Sequence, residues 1–199
     1  FYGLTSPSGP PHLYMVNDMA EKQPNTRFEE SGGGLYKIKG GIGHSDWSAD
    51  GMQPHLADKM LEYLDENKDS DKPFFLYMAL TAPHIPLFPS KEFKGKSRIG
   101  DYGDLVMMID DIVGRVNRKL KEIGKYDDTI VMFAADNGCA GYINMDKINR
   151  KGHYPSYIYR GYKSHGWEGG HRIPFILSWG DRYGHVTDNS LVSLTDLYA

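Results

Sequence analysis

The spacing of apolar residues divides the chain into predicted helices and strands. Apolar positions at helical spacing predict one helix over 54–66 and a longer one over 102–123, which Gly124 would end. Nearly unbroken apolar runs predict three strands, over 74–80, 129–135 and 173–179. The first of these strands, the longer helix and the second strand therefore follow one another along the chain.

A strand, a helix and a second strand in this order favour a right-handed crossover between parallel strands. The apolar runs do not alternate with polar residues, which is typical of strands that are covered on both faces. The predicted fold class is therefore α/β, with a central, mostly parallel sheet flanked by helices.

The first 50 residues have a different character, because glycine, proline, serine and asparagine are frequent in them. We expect this region to be rich in loops, with short strands at most around 13–16 and 35–38. The predicted organisation is one domain over 1–199, with a loop-rich part over 1–50 and an α/β core over 51–199.

Composition excludes several classes of partner. The chain has 23 Lys and Arg against 26 Asp and Glu, a net charge of −3, so no basic excess indicates nucleic-acid binding. Its longest apolar run, 74–80, is far shorter than the roughly 20 residues that a membrane-spanning helix needs. Cys139 is the single cysteine, so an internal disulfide is impossible.

Polar residues with chemical potential follow two of the predicted strands. His84, between two prolines, comes after 74–80, and Asp136 and Asn137 come after 129–135. Because the carboxyl ends of parallel strands meet at one edge of a sheet, His84 and Asp136 are expected there together. Asp and Asn are oxygen ligands of hard cations. The same residues also have ordinary interpretations: Asn-Gly is a common turn sequence, and a single histidine is often structural.

A third candidate segment, 160–174, carries Lys163, His165 and His171 among four glycines. Glycines allow the backbone to come close to an anionic ligand, although the segment is equally compatible with a solvated connecting loop. It precedes a strand, so the edge argument does not bring Lys163 close to His84. A run of tyrosines from Tyr154 to Tyr162 is compatible with a sugar or aryl site, or with a half-buried edge.

Three motifs, taken in order, resemble a known family. They are Ala-Pro-His-Ile-Pro at 82–86, Ala-Asp-Asn-Gly at 135–138, and Gly-Tyr-Lys at 161–163 followed by Glu-Gly-Gly-His-Arg-Ile-Pro at 168–174. Together they resemble the middle of a formylglycine-dependent sulfatase of the alkaline-phosphatase superfamily, and the resemblance spans nearly the whole chain.

The resemblance implies a role for each matching residue. Asp136 and Asn137 would be calcium ligands, His84 would contact the sulfate ester and assist the departing alcohol, and Lys163 would bind a sulfate oxygen. The implied cofactors are Ca²⁺ and a formylglycine, and the implied substrate is a sulfated sugar or aryl sulfate. His153, His165 and His171 are candidate contacts for a saccharide. The implied location is periplasmic or secreted.

The sequence also departs from the family pattern. The nucleophile motif Cys/Ser-x-Pro-x-Arg does not occur, and Cys139 stands in a different context. Asp136 and Asn137 offer at most about three of the six to eight oxygens that Ca²⁺ takes. We therefore expect a partial catalytic domain, truncated at both ends, which by itself binds calcium weakly and is inactive. Uncovered sheet edges would favour a homo-oligomer.

Two alternatives stay open at this point. One is a phosphate or phosphonate ester hydrolase of the same superfamily, although Asn137 in place of a second carboxylate favours calcium and a sulfate ester. The other is a non-catalytic binding module.

Overall fold

Two long helices form the best-packed part of the molecule. The structure, a computed structural model, describes residues 1–198, so Ala199 of the predicted domain lies outside the described residues. Helices α1 (Met52–Glu66) and α2 (Asp101–Glu122) confirm the two predicted helices to within two residues. They pack around one apolar cluster that consists of Ala57, Met60, Leu87, Phe93, Leu105, Met108 and Ile112.

The end of α2 explains why the apolar pattern stops where it does. Gly124 has a φ of 69°, in the left-handed region that glycine adopts without strain. Its N–H donates to the Lys121 carbonyl at 3.1 Å, and the Lys125 N–H donates to the Leu120 carbonyl at 2.9 Å. This pair of bonds is the Schellman arrangement, which satisfies carbonyl groups at the end of the helix.

The first 50 residues form small antiparallel sheets. One sheet consists of β1 (Tyr2–Gly3), β2 (Met15–Val16) and β3 (Met19–Ala20), and a second pairs β4 (Thr26–Phe28) with β5 (Gly41–Gly43). The strand predicted over 13–16 is confirmed only at its last two residues. The strand predicted over 35–38 is wrong: Gly34–Tyr36 forms a 3-10 helix, which begins at a glycine with a φ of 53°.

His55 joins the N-terminal sheet to α1. Its ring stacks on the Tyr14 ring with centroids 3.9 Å apart, and its Nε2 lies 2.6 Å from the Tyr2 hydroxyl. Burial of the ring lowers the pKa of His55 below its usual range, so the side chain is neutral at pH 7. The α1 helix is therefore held on one side by α2 and on the other by a cluster of aromatic side chains.

The strand predicted over 74–80 is wrong in this structure. The segment has no regular secondary structure, and Phe75 and Tyr77 are 91% and 80% exposed. A strand exists through backbone hydrogen bonds with a neighbouring strand, and no other segment of residues 1–198 pairs with this one. The segment therefore has a strand's composition without a partner.

The other two predicted strands are confirmed as β6 (Ile130–Ala134) and β7 (Phe175–Trp179). Their relative direction differs from the mostly parallel sheet that the sequence predicts. They pair antiparallel, with Ile130 opposite Trp179 and Ala134 opposite Phe175. The connection between them holds only the short helices α3 (Met145–Asn149) and α4 (Glu168–His171). Without a long crossover helix to return the chain to the other end of the sheet, the second strand runs in the opposite direction.

The faces of this hairpin also differ from the prediction. Four of its apolar side chains are about half exposed, so its two faces are not covered: Ile130, Met132, Ile176 and Leu177. The described residues thus combine helices with small antiparallel sheets, and a central parallel sheet is not among them. Self-association through the exposed edges stays a prediction. Within residues 1–198, no helix is both long and apolar enough to cross a membrane.

Candidate active site

His84 lies in the loop that follows segment 74–80, with one ring nitrogen already occupied. Its Nδ1 is 2.7 Å from the Ile85 carbonyl oxygen, and its backbone N–H donates to the Thr81 carbonyl at 3.0 Å. Since a carbonyl only accepts, Nδ1 carries the proton of this bond. The exposed ring therefore has Nε2 available to exchange a proton with a ligand.

Asp136 and Asn137 follow β6 directly, as predicted. The Asn137 amide nitrogen donates to Asp136 Oδ1 at 2.7 Å, which holds the two side chains together. Carboxylate and amide oxygens suit a hard cation such as Ca²⁺, which takes about six to eight of them. These two residues fit as part of a calcium site and would need further ligands. Among residues 1–198, no group of three His, Cys, Asp or Glu side chains is arranged to hold a metal ion.

The loop after β6 and the loop of Lys163 pack directly against each other. The Lys163 N–H donates to the Cys139 carbonyl at 2.9 Å, and the Gly138 N–H donates to the Gly170 carbonyl at 2.9 Å. A Cβ atom on Gly138 would overlap the carbonyl of Gly169, so only glycine permits this approach. Strand order alone does not predict this position for Lys163, because backbone hydrogen bonds between the two loops place it beside the loop of Asp136.

Tyr142 connects this pair of loops to His84. Its ring lies edge-on to the His84 ring, with centroids 6.3 Å apart, and the neighbouring Gly141 packs against the Tyr162 ring. Burial raises the pKa of the Tyr142 hydroxyl, and electrostatic interactions with Cys139 and Asp136 raise it further. Three segments that are far apart in sequence therefore meet in one cluster.

Cys139 is a half-buried thiol whose surroundings disfavour the thiolate. Burial raises the pKa of its thiol, while a hydrogen bond with the Tyr102 hydroxyl, at 3.4 Å, opposes the increase. A thiol with a raised pKa is protonated at neutral pH and reacts poorly. The structure thus agrees with the sequence context, which gives Cys139 no nucleophilic role.

Lys163 is half-buried and takes part in none of the ion pairs found among residues 1–198, whereas Arg172 of the same loop is paired with Glu168. The structure separates the three candidate histidines. The His165 ring lies tilted against the Tyr162 ring, with centroids 4.1 Å apart, and His171 Nε2 lies 3.6 Å from Glu168 Oε1. His153 lies beyond the end of α3 and is exposed. The loop of Lys163 therefore contains two of the three.

Sequence reasoning missed two residues of this cluster. Tyr142 was not singled out, although it forms the contact with His84. The sequence pattern gives no signal for Arg160, whose guanidinium lies 3.9 Å from the centroid of the Trp167 ring. The turn at Gly161, with a φ of 87°, separates Arg160 from the rest of the loop, and no periodic pattern signals such a contact.

A family model described as Sulfatase matches residues 12–199. The chain belongs to the sulfatase family. It is 33% identical over 156 residues to an N-acetylgalactosamine-6-O-sulfatase of Bacteroides thetaiotaomicron, covering 77% of this chain and 30% of that protein. It is 35% identical over 149 residues to an arylsulfatase of Hemicentrotus pulcherrimus, covering 75% of this chain and 26% of that protein. The chain thus spans less than a third of the length of these sulfatases.

The fold is similar to that of solved structures of sulfatases, which are alkaline-phosphatase-like. One, described in connection with the metabolism of multiple glycosaminoglycans by Bacteroides thetaiotaomicron, has a TM-score of 0.69 and 26% identity. It matches 85% of this chain and 42% of its own length. The similarity therefore confirms the alkaline-phosphatase-like class. The predicted central parallel sheet is not found among residues 1–198.

Proposed function

We propose that this chain supplies part of the active site of a sulfatase that hydrolyses a sulfate ester on a saccharide. The observation that carries the proposal is the meeting of three loops. Backbone hydrogen bonds join the loop of Lys163 to the loop of Asp136, and Tyr142 of the latter contacts His84. The proposed proton donor, the proposed sulfate-binding cation and the two proposed oxygen ligands would then lie in one cluster.

His84 is the proposed proton donor to the departing alcohol. Breaking the S–O bond of a sulfate ester leaves negative charge on the alcohol oxygen, and a proton cancels it. Because Nδ1 is bonded to the Ile85 carbonyl, Nε2 is the atom that would deliver this proton. Lys163, which has no acidic partner among the described residues, would hold a non-bridging sulfate oxygen.

Asp136 and Asn137 are the proposed residues of this chain that hold Ca²⁺. When bound, the ion would offset the negative charge of the sulfate group. The remaining calcium ligands and the formylglycine nucleophile would come from segments outside these 199 residues. We also propose that segment 74–80 pairs as a strand when segments from outside these 199 residues are present.

The relatives support a proposal for the substrate class. One relative is an N-acetylgalactosamine-6-O-sulfatase, and a similar solved structure is described in the context of glycosaminoglycan metabolism. We therefore favour a sulfated saccharide, met by a periplasmic or secreted protein, over a phosphate or phosphonate ester. His153, His165 and His171 remain proposed saccharide contacts.

Binding of N-acetylgalactosamine 6-sulfate to the 199-residue chain, with Ca²⁺ present, tests the site. We expect Lys163→Met to weaken this binding about tenfold to a hundredfold, because a charged hydrogen bond contributes roughly 1.5–3 kcal/mol. Isothermal titration calorimetry measures the change, and Lys147→Met, an exposed lysine on α3, is the matched control. Equal effects of the two substitutions, or no preference over unsulfated N-acetylgalactosamine, would contradict the proposed site and favour a different binding module.

A further inference from the structure

Three arginines of the C-terminal region lie on aromatic rings, and one of them differs from the others. Arg182 lies 4.5 Å from the Trp179 ring and pairs with Asp128 at 3.2 Å. Arg172 lies 4.7 Å from the Tyr159 ring and pairs with Glu168 at 3.1 Å.

Arg160 lies closest to its ring, 3.9 Å from the Trp167 centroid. No ion pair within residues 1–198 includes Arg160, in contrast to Arg172 and Arg182. Its guanidinium charge is therefore held in place by an aromatic ring and is not neutralised.

Stacking leaves the hydrogen-bonding edge of a guanidinium group free. The group is planar, and its N–H donors point outward in that plane, while the aromatic ring occupies one face. A carboxylate or a sulfate matches two of these donors at once. Because Trp167 restricts the plane beforehand, less conformational freedom is lost when an anion binds.

The loop fixes Arg160 close to Lys163. The Gly169 N–H donates to the Arg160 carbonyl at 2.9 Å, and a Cβ on Gly169 would overlap the Gly161 carbonyl. Two residues lie between Arg160 and Lys163, so their α-carbons are at most about 11 Å apart, the scale of roughly two sugar rings. Tyr162 and Trp167 are exposed beside them and offer aromatic surface to a saccharide.

We propose that Arg160, positioned by Trp167, binds a second anionic group on the sugar next to the one that carries the scissile sulfate. The substrate is then a polyanionic saccharide with a carboxylate or a further sulfate on the neighbouring ring. This inference rests on the proposed function, because it takes Lys163 as the contact of the scissile sulfate.

Two ligands separate the contributions of the two cations. One is N-acetylgalactosamine 6-sulfate, and the other is a tetrasaccharide in which this sugar alternates with glucuronate. Arg160→Met is expected to weaken binding of the tetrasaccharide to the 199-residue chain about tenfold and to leave binding of the monosaccharide unchanged. Arg182→Met removes a stacked arginine that is already paired with Asp128, so it should change neither. Trp167→Leu, which keeps the charge and removes the ring, should give a smaller loss for the tetrasaccharide.

A third ligand identifies the anion, and the pattern of binding losses distinguishes failure of this proposal from failure of the proposed function. A carboxyl-reduced tetrasaccharide that binds wild type and Arg160→Met equally would assign Arg160 to the carboxylate of the neighbouring ring, whereas a persistent difference would point to the sulfate two rings away and overturn the neighbouring-ring assignment. Equal loss of both ligands in Arg160→Met, or no loss of either, would overturn the proposal. Failure of the proposed function has another signature, which is that Lys163→Met leaves monosaccharide binding intact.

Discussion

The pair of helices α1 and α2 is amphipathic and the hairpin of β6 and β7 is almost wholly apolar, yet the helices bury their apolar side chains better. In the helix pair, Leu105 is 2% exposed, whereas Leu177 in the hairpin is 48% exposed. Each helix buries a single apolar stripe, which the other helix and a nearby loop cover. A hairpin has two faces, and no described segment covers those of β6 and β7. Apolar content thus indicates that a segment seeks a partner, and burial depends on which partners are present.

The largest expected difference in stability is between two leucine-to-alanine substitutions, one in each region. Leu105→Ala should lower the free energy of unfolding by about 3 kcal/mol, because it leaves a cavity in a closely packed cluster. Leu177→Ala, at a half-exposed position, should lower it by less than about 1 kcal/mol. Urea unfolding followed by circular dichroism measures both. Similar losses would mean that the hairpin is covered in solution, for example by a second copy of the chain.

A second substitution sharpens the contrast within the C-terminal region. The faces of the hairpin are open, but its loops are tightly packed, and a Cβ on Gly138 would overlap the Gly169 carbonyl. Gly138→Ala should lower the free energy of unfolding by about 1–3 kcal/mol, because the added methyl group overpacks the contact. It should also speed amide hydrogen exchange at Lys163. Gly166→Ala is the control, since nothing lies within 4 Å of the added atom. Unchanged exchange at Lys163 in Gly138→Ala would show that the two loops are not coupled.

The smallest expected effect concerns the aromatic cluster that holds α1 from the other side. Burial lowers the pKa of His55 in the folded state, so the unfolded chain binds more protons as the pH falls below the usual value of 6.5. The stability is present above that pH and is lost as the pH falls toward the folded-state pKa. The free energy of unfolding, measured in urea, should therefore be lower at pH 5.5 than at pH 7.5. The difference between the two pH values should be smaller in His55→Phe, which keeps a ring against Tyr14. Identical pH dependence in both proteins would exclude His55 as the cause.

The parts of the fold that the sequence predicts well are those that depend on neighbours along the chain. Helical periodicity located α1 and α2 to within two residues, and apolar runs located β6 and β7. Strand direction and the state of segment 74–80 depend on distant partners, which an apolar run does not specify. In the candidate site, ordered motifs singled out His84, Asp136, Asn137 and Lys163. The contact of Tyr142 with His84 arises only when two loops meet, and the stacking of Arg160 on Trp167 depends on how one loop folds back on itself.

The two backbone bonds that join Cys139 to Lys163 and Gly138 to Gly170 also constrain how this region can vary. An inserted or deleted residue in one loop would shift its donors and acceptors past those of the other, so a compensating change would be needed in its partner. The glycines at the crossing add the same restriction on side-chain size. Variation in ligand preference is therefore easiest at exposed side chains such as Arg160 and His165, where replacement leaves the backbone register of the paired loops intact.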